Sequence, residues 1–274
     1  MFIFVALKVK DMTHQQILDK LAAKHLVKSI DDDLARLTFS AMCYQKDMVS
    51  QLDYLLPKLL NRWNCALNAV EVSNNYKQIT ILALSVLLHK YGFKDETISK
   101  RAIAAVDLLN KEVVLSDDFF RKSEEIKQFI LSSPTPLKRK PSVPENITFY
   151  RQGDVISIEL ENHYYAAYIH EISDTNESPL LEFYDHVFDK VPTLRELENL
   201  PAKGQLFDGV MRIAKFSVHG IKYNPDLANQ IQLIAACVKN PPSVKHLKKA
   251  IVYTISDLFK IQNTIKSLFP IEKS

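Results

Sequence analysis

The second half of the chain holds the side chains from which a hydrolytic site could be assembled: His163, His170, Asp185, His186 and His219, with Glu171 and Glu182 close by in sequence. Metal-assisted hydrolysis needs three or four such groups to converge on one ion. The spacing works against convergence. His163 and His170 stand seven residues apart in an alternating apolar segment, so on a strand they face opposite sides, and the adjacent Asp185 and His186 diverge in the same way. The sequence contains no HExxH, CxxC or GxSxG, and no two glycines are spaced as a phosphate-cradling loop requires. A metal-dependent hydrolase using His170, Asp185 and His186 is kept as the enzymatic alternative. The residues favour a non-enzymatic protein, and no cofactor is implied.

Charge narrows the choice of ligand. The chain carries a net charge of +3, but residues 147–240 hold 8 Lys and Arg against 13 Asp and Glu, whereas residues 241–274 hold 6 against 2. A segment with a net charge of −5 is a poor surface for nucleic acid, which requires cations facing its phosphates, and a good one for a basic partner. A nucleic-acid-associated regulator could instead use Lys138, Arg139 and Lys140 together with Lys245, Lys248 and Lys249. Aromatic side chains are dense in the same acidic segment: Tyr150, Tyr164, Tyr165, Tyr168, Phe183, Tyr184 and Phe188. Such residues suit either a β-sheet core or a binding surface.

Two kinds of element must position these groups. From about residue 12 to 132 the apolar spacing is helical. Thr13 is placed to cap a helix carrying Ile17, Leu18 and Leu21, and Ser29 or Asp31 to cap the next. A third run holds Leu52, Leu55, Leu56, Leu59, Leu60, Trp63 and Leu67, with Pro57 predicting a kink or a helix start. Residues 76–93 are apolar nearly all round, as in a central helix, with Gly92 as its stop. Segments 95–112 and 116–131 complete an irregular bundle of five or six helices.

Four prolines between 133 and 146 mark an extended, exposed linker. Beyond it the period shifts to two: Val155, Ser157 and Glu159 alternate with Ile156, Ile158 and Leu160. "ENH" reads as a tight turn, and 164–172 and 180–188 as the next two strands of a meander. A short helix capped by Thr193 follows, then strands in 209–218 and 230–238. The tail from Val244 to Leu268 has apolar residues at steps of three and four, predicting one amphipathic helix. The expected fold is therefore α+β: a helical domain over 1–132, a linker over 133–146, and a mainly antiparallel β domain with a C-terminal amphipathic helix over 147–274. The opening segment "MFIFVALKVKD" lacks the flank and cleavage site of a signal peptide and reads as a buried apolar segment. No apolar run is long enough to span a membrane. Three widely spaced cysteines suggest neither a disulfide framework nor a ligand pair, so cytoplasm is the expected compartment.

The order "RQGDVISIELENHYYAAYIHEI", "LLEFYDHVF", "LPAKGQLFDG", "IQLIA" resembles the immunity protein 26 type of bacterial polymorphic-toxin immunity proteins. The matching residues are Gly153, Asp154, Val155, Ile158, Leu160, Tyr184 and Asp185; the turn "ENH" lacks a glycine, and Ile231 and Gln232 stand where a tryptophan is expected. The likeness covers about residues 147–240. It implies a protein that binds a cognate toxin domain and blocks its active site, with a basic toxin meeting the acidic β domain. The contact residues expected on that reading are Glu159, Glu161, Tyr165, Glu171, Asp174, Glu177, Glu182, Asp185 and Asp189. For Gly153 the expectation is specific: it lets the chain turn into the first strand, and Asp154 bonds the backbone of that turn. Oligomeric state stays open.

Overall fold

The computed structural model describes residues 12–112, 115–173 and 175–270. The apolar opening segment, residues 1–11, lies outside the described residues, as does Asp174. The fold is α+β: among the described residues there are nine helices and one seven-stranded sheet. The chain divides into two compact units, one formed by residues 1–52 and 70–142 and the other by 53–69 and 143–274.

The first unit is helical. Helix α1 (His14–Lys20) begins at the expected cap, Thr13, in a reciprocal capping box with Gln16. Helix α2 (Lys24–Tyr44) runs straight through Ser29 and Asp31, which were expected to cap a new helix. Both sit on an unbroken amphipathic turn, where Ser29 is buried and Asp31 pairs with Lys90, so neither breaks the backbone ladder. Helix α3 (Met48–Asn68) likewise continues through Pro57. Its start is earlier than that proline, at Asp47, whose carboxylate accepts from the Ser50 N–H and hydroxyl and is held below the usual carboxylate range by those bonds.

Helix α4 (Asn74–Lys90) is the expected central helix, buried without interruption from Ile79 to His89. Gly92 stops it: at φ +87° it closes a Schellman motif in which the Phe93 N–H donates to the Leu88 carbonyl and the Gly92 N–H to that of His89. Helices α5 (Glu96–Glu112) and α7 (Ser123–Leu131) pack beside it, and the short α6 (Asp117–Arg121) packs on α7.

One polar contact in this unit sets a pH response. His14 Nε2 lies 3.0 Å from His89 Nδ1, and His89 Nε2 lies 3.0 Å from the Ser132 hydroxyl. Burial lowers both histidine pKa values, and each ring's cationic neighbours, Lys90 for His14 and His14 itself for His89, lower them further. With the folded pKa below the unfolded value of about 6.5, the unfolded chain binds more protons in that window. Stability is full above about pH 6.5 and is lost as the pH falls through the lowered folded values. Thermal unfolding recorded on the acid side of neutrality should show this slope, and His14→Gln with His89→Gln should flatten it; an unchanged slope would contradict the assignment.

The second unit is built on strands β1 (Val155–Leu160), β2 (His163–Ser173), β3 (Ser178–Phe183), β4 (Gly204–Phe207), β5 (Val210–His219), β6 (Ile231–Ala235) and β7 (Lys248–Asp257), with helices α8 (Leu194–Leu197) and α9 (Lys260–Leu268). The central order is β5-β3-β2-β1-β6, all antiparallel; β4 shares an edge of β5 with β3, and β7 runs parallel along its other edge. The turn "ENH" is a two-residue hairpin with Glu161 at φ 54° and Asn162 at φ 62°, the left-handed pair that suits the strand twist.

The alternation in β1 sorts the faces as its sequence implies. Ile156, Ile158 and Leu160 join Ala167, Ile169, Leu181, Phe183, Phe216 and Val218 in the main core, which Ile261, Ile265 and Leu268 of α9 cover. Val155 points the other way, into a smaller cluster with Ala166, Tyr168, Tyr184 and Leu197.

The tail corrects the sequence expectation. Residues 244–268 form not one helix but a ten-residue strand followed by a nine-residue helix. Ile251, Val252, Tyr253, Thr254 and Ile255 are all β-branched or aromatic, and pairing along β5 satisfies their backbone, which overrides the three-to-four spacing. The strand expected over 180–188 ends at Phe183, because the Asp185 and His186 N–H groups bond Pro201 and Tyr184 instead of a neighbouring strand.

Residues 53–69 of α3 pack with this sheet unit. Arg62, 3% exposed, reaches Asp226 through two bonds of 2.9 and 2.7 Å from its two terminal nitrogens. Asp226 also accepts from the backbone N–H groups of Ala228, Gln230 and Ile231, so one carboxylate fixes the whole 226–231 turn against the helix.

Candidate protein-binding surface

The chemistry-bearing side chains of the sheet unit are mostly engaged in holding it together. His170 Nε2 lies 2.8 Å from Glu182 Oε2 between neighbouring strands, with the His170 ring against the edge of Tyr168. His219 Nδ1 meets the Ser178 hydroxyl at 2.7 Å, and Ser178 is fully buried. His163 Nδ1 sits 3.0 Å from the Glu161 carbonyl. Asp185 pairs with Lys203, and His186 packs edge-on against Phe188. The three residues considered for a hydrolase thus have three separate sets of partners, and among the described residues no three His, Cys, Asp or Glu side chains gather as a metal site. Burial pushes the Cys65 thiol well above its ordinary range, so it stays protonated at neutral pH.

The motif that opens the unit is a structural clamp. Gly153 adopts φ +84°, and a Cβ there would lie 3.1 Å from the Val238 carbonyl oxygen. Its N–H donates to Ile169 and its carbonyl accepts from Val238. Asp154 accepts from the Arg151 N–H at 2.8 Å, as the sequence implies, and also from the Cys237 N–H at 3.4 Å. Gly153 and Asp154 therefore join the turn at Arg151, β1, β2 and the segment after β6.

The nine expected contact residues fall in three groups. Tyr165 and Glu182 are buried, Tyr165 in the main core and Glu182 beside His170, so the folded surface does not present them. Glu171 and Glu177 flank the β2–β3 turn, Asp174 lies outside the described residues, and Glu159 is half-buried along β1. Glu161 is exposed on the β1–β2 turn, with Asp185 and Asp189 exposed on the segment that returns past it, where Phe188 bridges Tyr164. The two turns cap opposite ends of β2, roughly 30 Å apart at about 3.3 Å per residue. The acidic residues do not form one face. Glu161 is ion-paired with Lys266 and Asp185 with Lys203, whereas Leu194 and Glu198 line a cleft with residues 238–243, toward the Gly153 end of β1.

Sequence reasoning missed a second exposed feature. On the outer face at the far side of the sheet, Ile251, Tyr253 and Ile255 of β7 stand exposed in register with Ile213, Lys215 and Ser217 of β5. Leu206 and Met211, opposite each other in the β4–β5 hairpin, extend this apolar strip. The hairpin itself was legible: Asp208–Gly209 is a strong two-residue turn signal, and both residues adopt positive φ.

No family model, curated protein or solved structure matches this chain. Among the described residues, no helix is long and apolar enough to cross a membrane.

Proposed function

We propose that this chain is a cytoplasmic immunity protein that binds a cognate toxin domain and neutralises it by occluding the toxin's active site. One observation carries the reading: the exposed Glu161, Asp185 and Asp189 lie toward the β1–β2 turn end of the sheet, where Glu161 and Asp185 already hold the ammonium groups of Lys266 and Lys203. The Gly153–Asp154 clamp, on which the resemblance to immunity proteins rests, holds the other end of β1 in place. A basic toxin face would be steered to this end and would compete with those lysines for the carboxylates.

The reading is tested by reversing Glu161 and Asp189 to lysine and measuring association with the toxin-like domain encoded by the neighbouring gene. Association should slow about tenfold at low ionic strength, with stability lowered by no more than about 1 kcal/mol, since the Glu161–Lys266 pair that is lost is a surface one. Reversing Glu171 and Glu177, at the opposite end of β2, should leave the rate unaltered. Equal effects from the two pairs would overturn the placement of the surface.

A further inference from the structure

Strand β7 offers a surface outside the contact proposed for the toxin. It is ten residues long and pairs through only one edge, to β5; among the described residues no strand lies on its other edge. Its outer face is unusually apolar for such a position: Ile251 is 55%, Tyr253 52% and Ile255 70% exposed. A long, apolar, unpaired edge is a template for a further strand, and folded proteins ordinarily blunt it with charge, proline or a bulge. Here the lysines Lys245, Lys248 and Lys249 stand only at its beginning, and Asp257 at its end.

We infer that β7 pairs antiparallel with β7 of a second copy of this chain, joining two sheets across a two-fold axis at Tyr253. The register follows from the residues. With Tyr253 opposite itself, Ile251 faces Ile255 of the second copy and Lys249 faces Asp257 of the second copy, so on this outer face apolar residues meet apolar ones and Lys249 meets an opposite charge. Asp257 Oδ1 accepts from the Phe259 and Lys260 N–H groups, and its Oδ2 lies 3.6 Å from Lys260 Nζ, so the incoming lysine would share that oxygen with Lys260. A parallel pairing would set Lys248 and Lys249 against their own copies, and like charges opposite each other are destabilising. Charge also selects the occupant: the lysine-bearing start of β7 disfavours a basic toxin domain, whereas the second copy supplies the aspartate. Leu206 and Met211 widen the covered strip.

Sedimentation equilibrium of the full chain should show the mass rising with micromolar concentration from 31.4 kDa towards twice that value, and Ile255→Lys should hold it at one chain without lowering the thermal midpoint. The register is read by cross-linking in a background with the exposed thiols removed, Cys43→Ser and Cys237→Ser. Tyr253→Cys should oxidise to a linked dimer, because directly opposed residues stand about 4.5–5.5 Å apart at Cα, within disulfide reach. Ile251→Cys and Ile255→Cys should each fail alone but link when the two chains are mixed. A single-chain mass at every concentration, or equal cross-linking at all three positions, would overturn the inference. So would a monomer in which Ile255→Lys abolishes toxin-domain binding, since that result assigns the edge to the toxin.

Discussion

Replacing Arg62 with alanine should cost the sheet unit about 3–5 kcal/mol, because it leaves the Asp226 carboxylate buried without its cation. Both side chains are nearly inaccessible, at 4% and 3% exposure, so water cannot substitute for the lost partner. Asp226→Ala should cost more than Arg62→Ala. It removes the anion facing the guanidinium and also the acceptor for three backbone N–H groups, those of Ala228, Gln230 and Ile231, each of which then carries its own desolvation penalty. Arg62→Lys should fall between wild type and alanine, since one ammonium cannot reproduce the paired geometry of the guanidinium. The readout is internal: Trp63, the single tryptophan, is fully buried beside Arg62 and reports the unfolding of this helix in urea. A loss below about 1 kcal/mol for Arg62→Ala would show that the pair is not the clasp described.

The second large effect is expected at Gly153. Alanine there must adopt the left-handed region at φ +84° and bring a Cβ to 3.1 Å from the Val238 carbonyl oxygen, a contact with backbone that cannot swing away. The cost should be about 1–3 kcal/mol. The clamp links β1, β2 and the 237–238 segment, so the loss should appear as earlier unfolding of the whole sheet unit and not as local fraying. Asp154→Ala should give a smaller loss, near about 1 kcal/mol, because the turn keeps its backbone bonds. If Gly153→Ala were neutral in urea unfolding, the strain argument would fail.

Both sites show what a sequence can and cannot convey. Gly153 and Asp154 were legible, because the turn they make is local and its bonds span three residues. Thr13, Gly92 and the alternation of β1 were legible for the same reason. Arg62 was not, since its partner lies 164 residues away. A signal did exist: Leu55, Leu59, Arg62 and Ala66 fall at steps of four, three and four, so the arginine occupies a core position of its helix and needs a buried anion.

The tail misled for a different reason. Its three-to-four spacing and its β-branched composition pointed to different structures, and the long-range pairing with β5 decided between them. The binding residues were legible only in part. Charge and type can be read from a sequence, but whether Tyr165 or Glu182 points inward depends on a register and a covering segment that are not local.

The most direct test of the central claim is a calorimetric titration of the full chain with the toxin-like domain encoded by the neighbouring gene, alongside an assay of that domain's activity. Saturable binding of one chain per toxin domain, weakened by Glu161→Lys with Asp189→Lys and accompanied by loss of toxin activity, is the expected result. Absence of binding to that domain, or binding that leaves its activity intact, would contradict the proposal that this chain neutralises a toxin by occlusion.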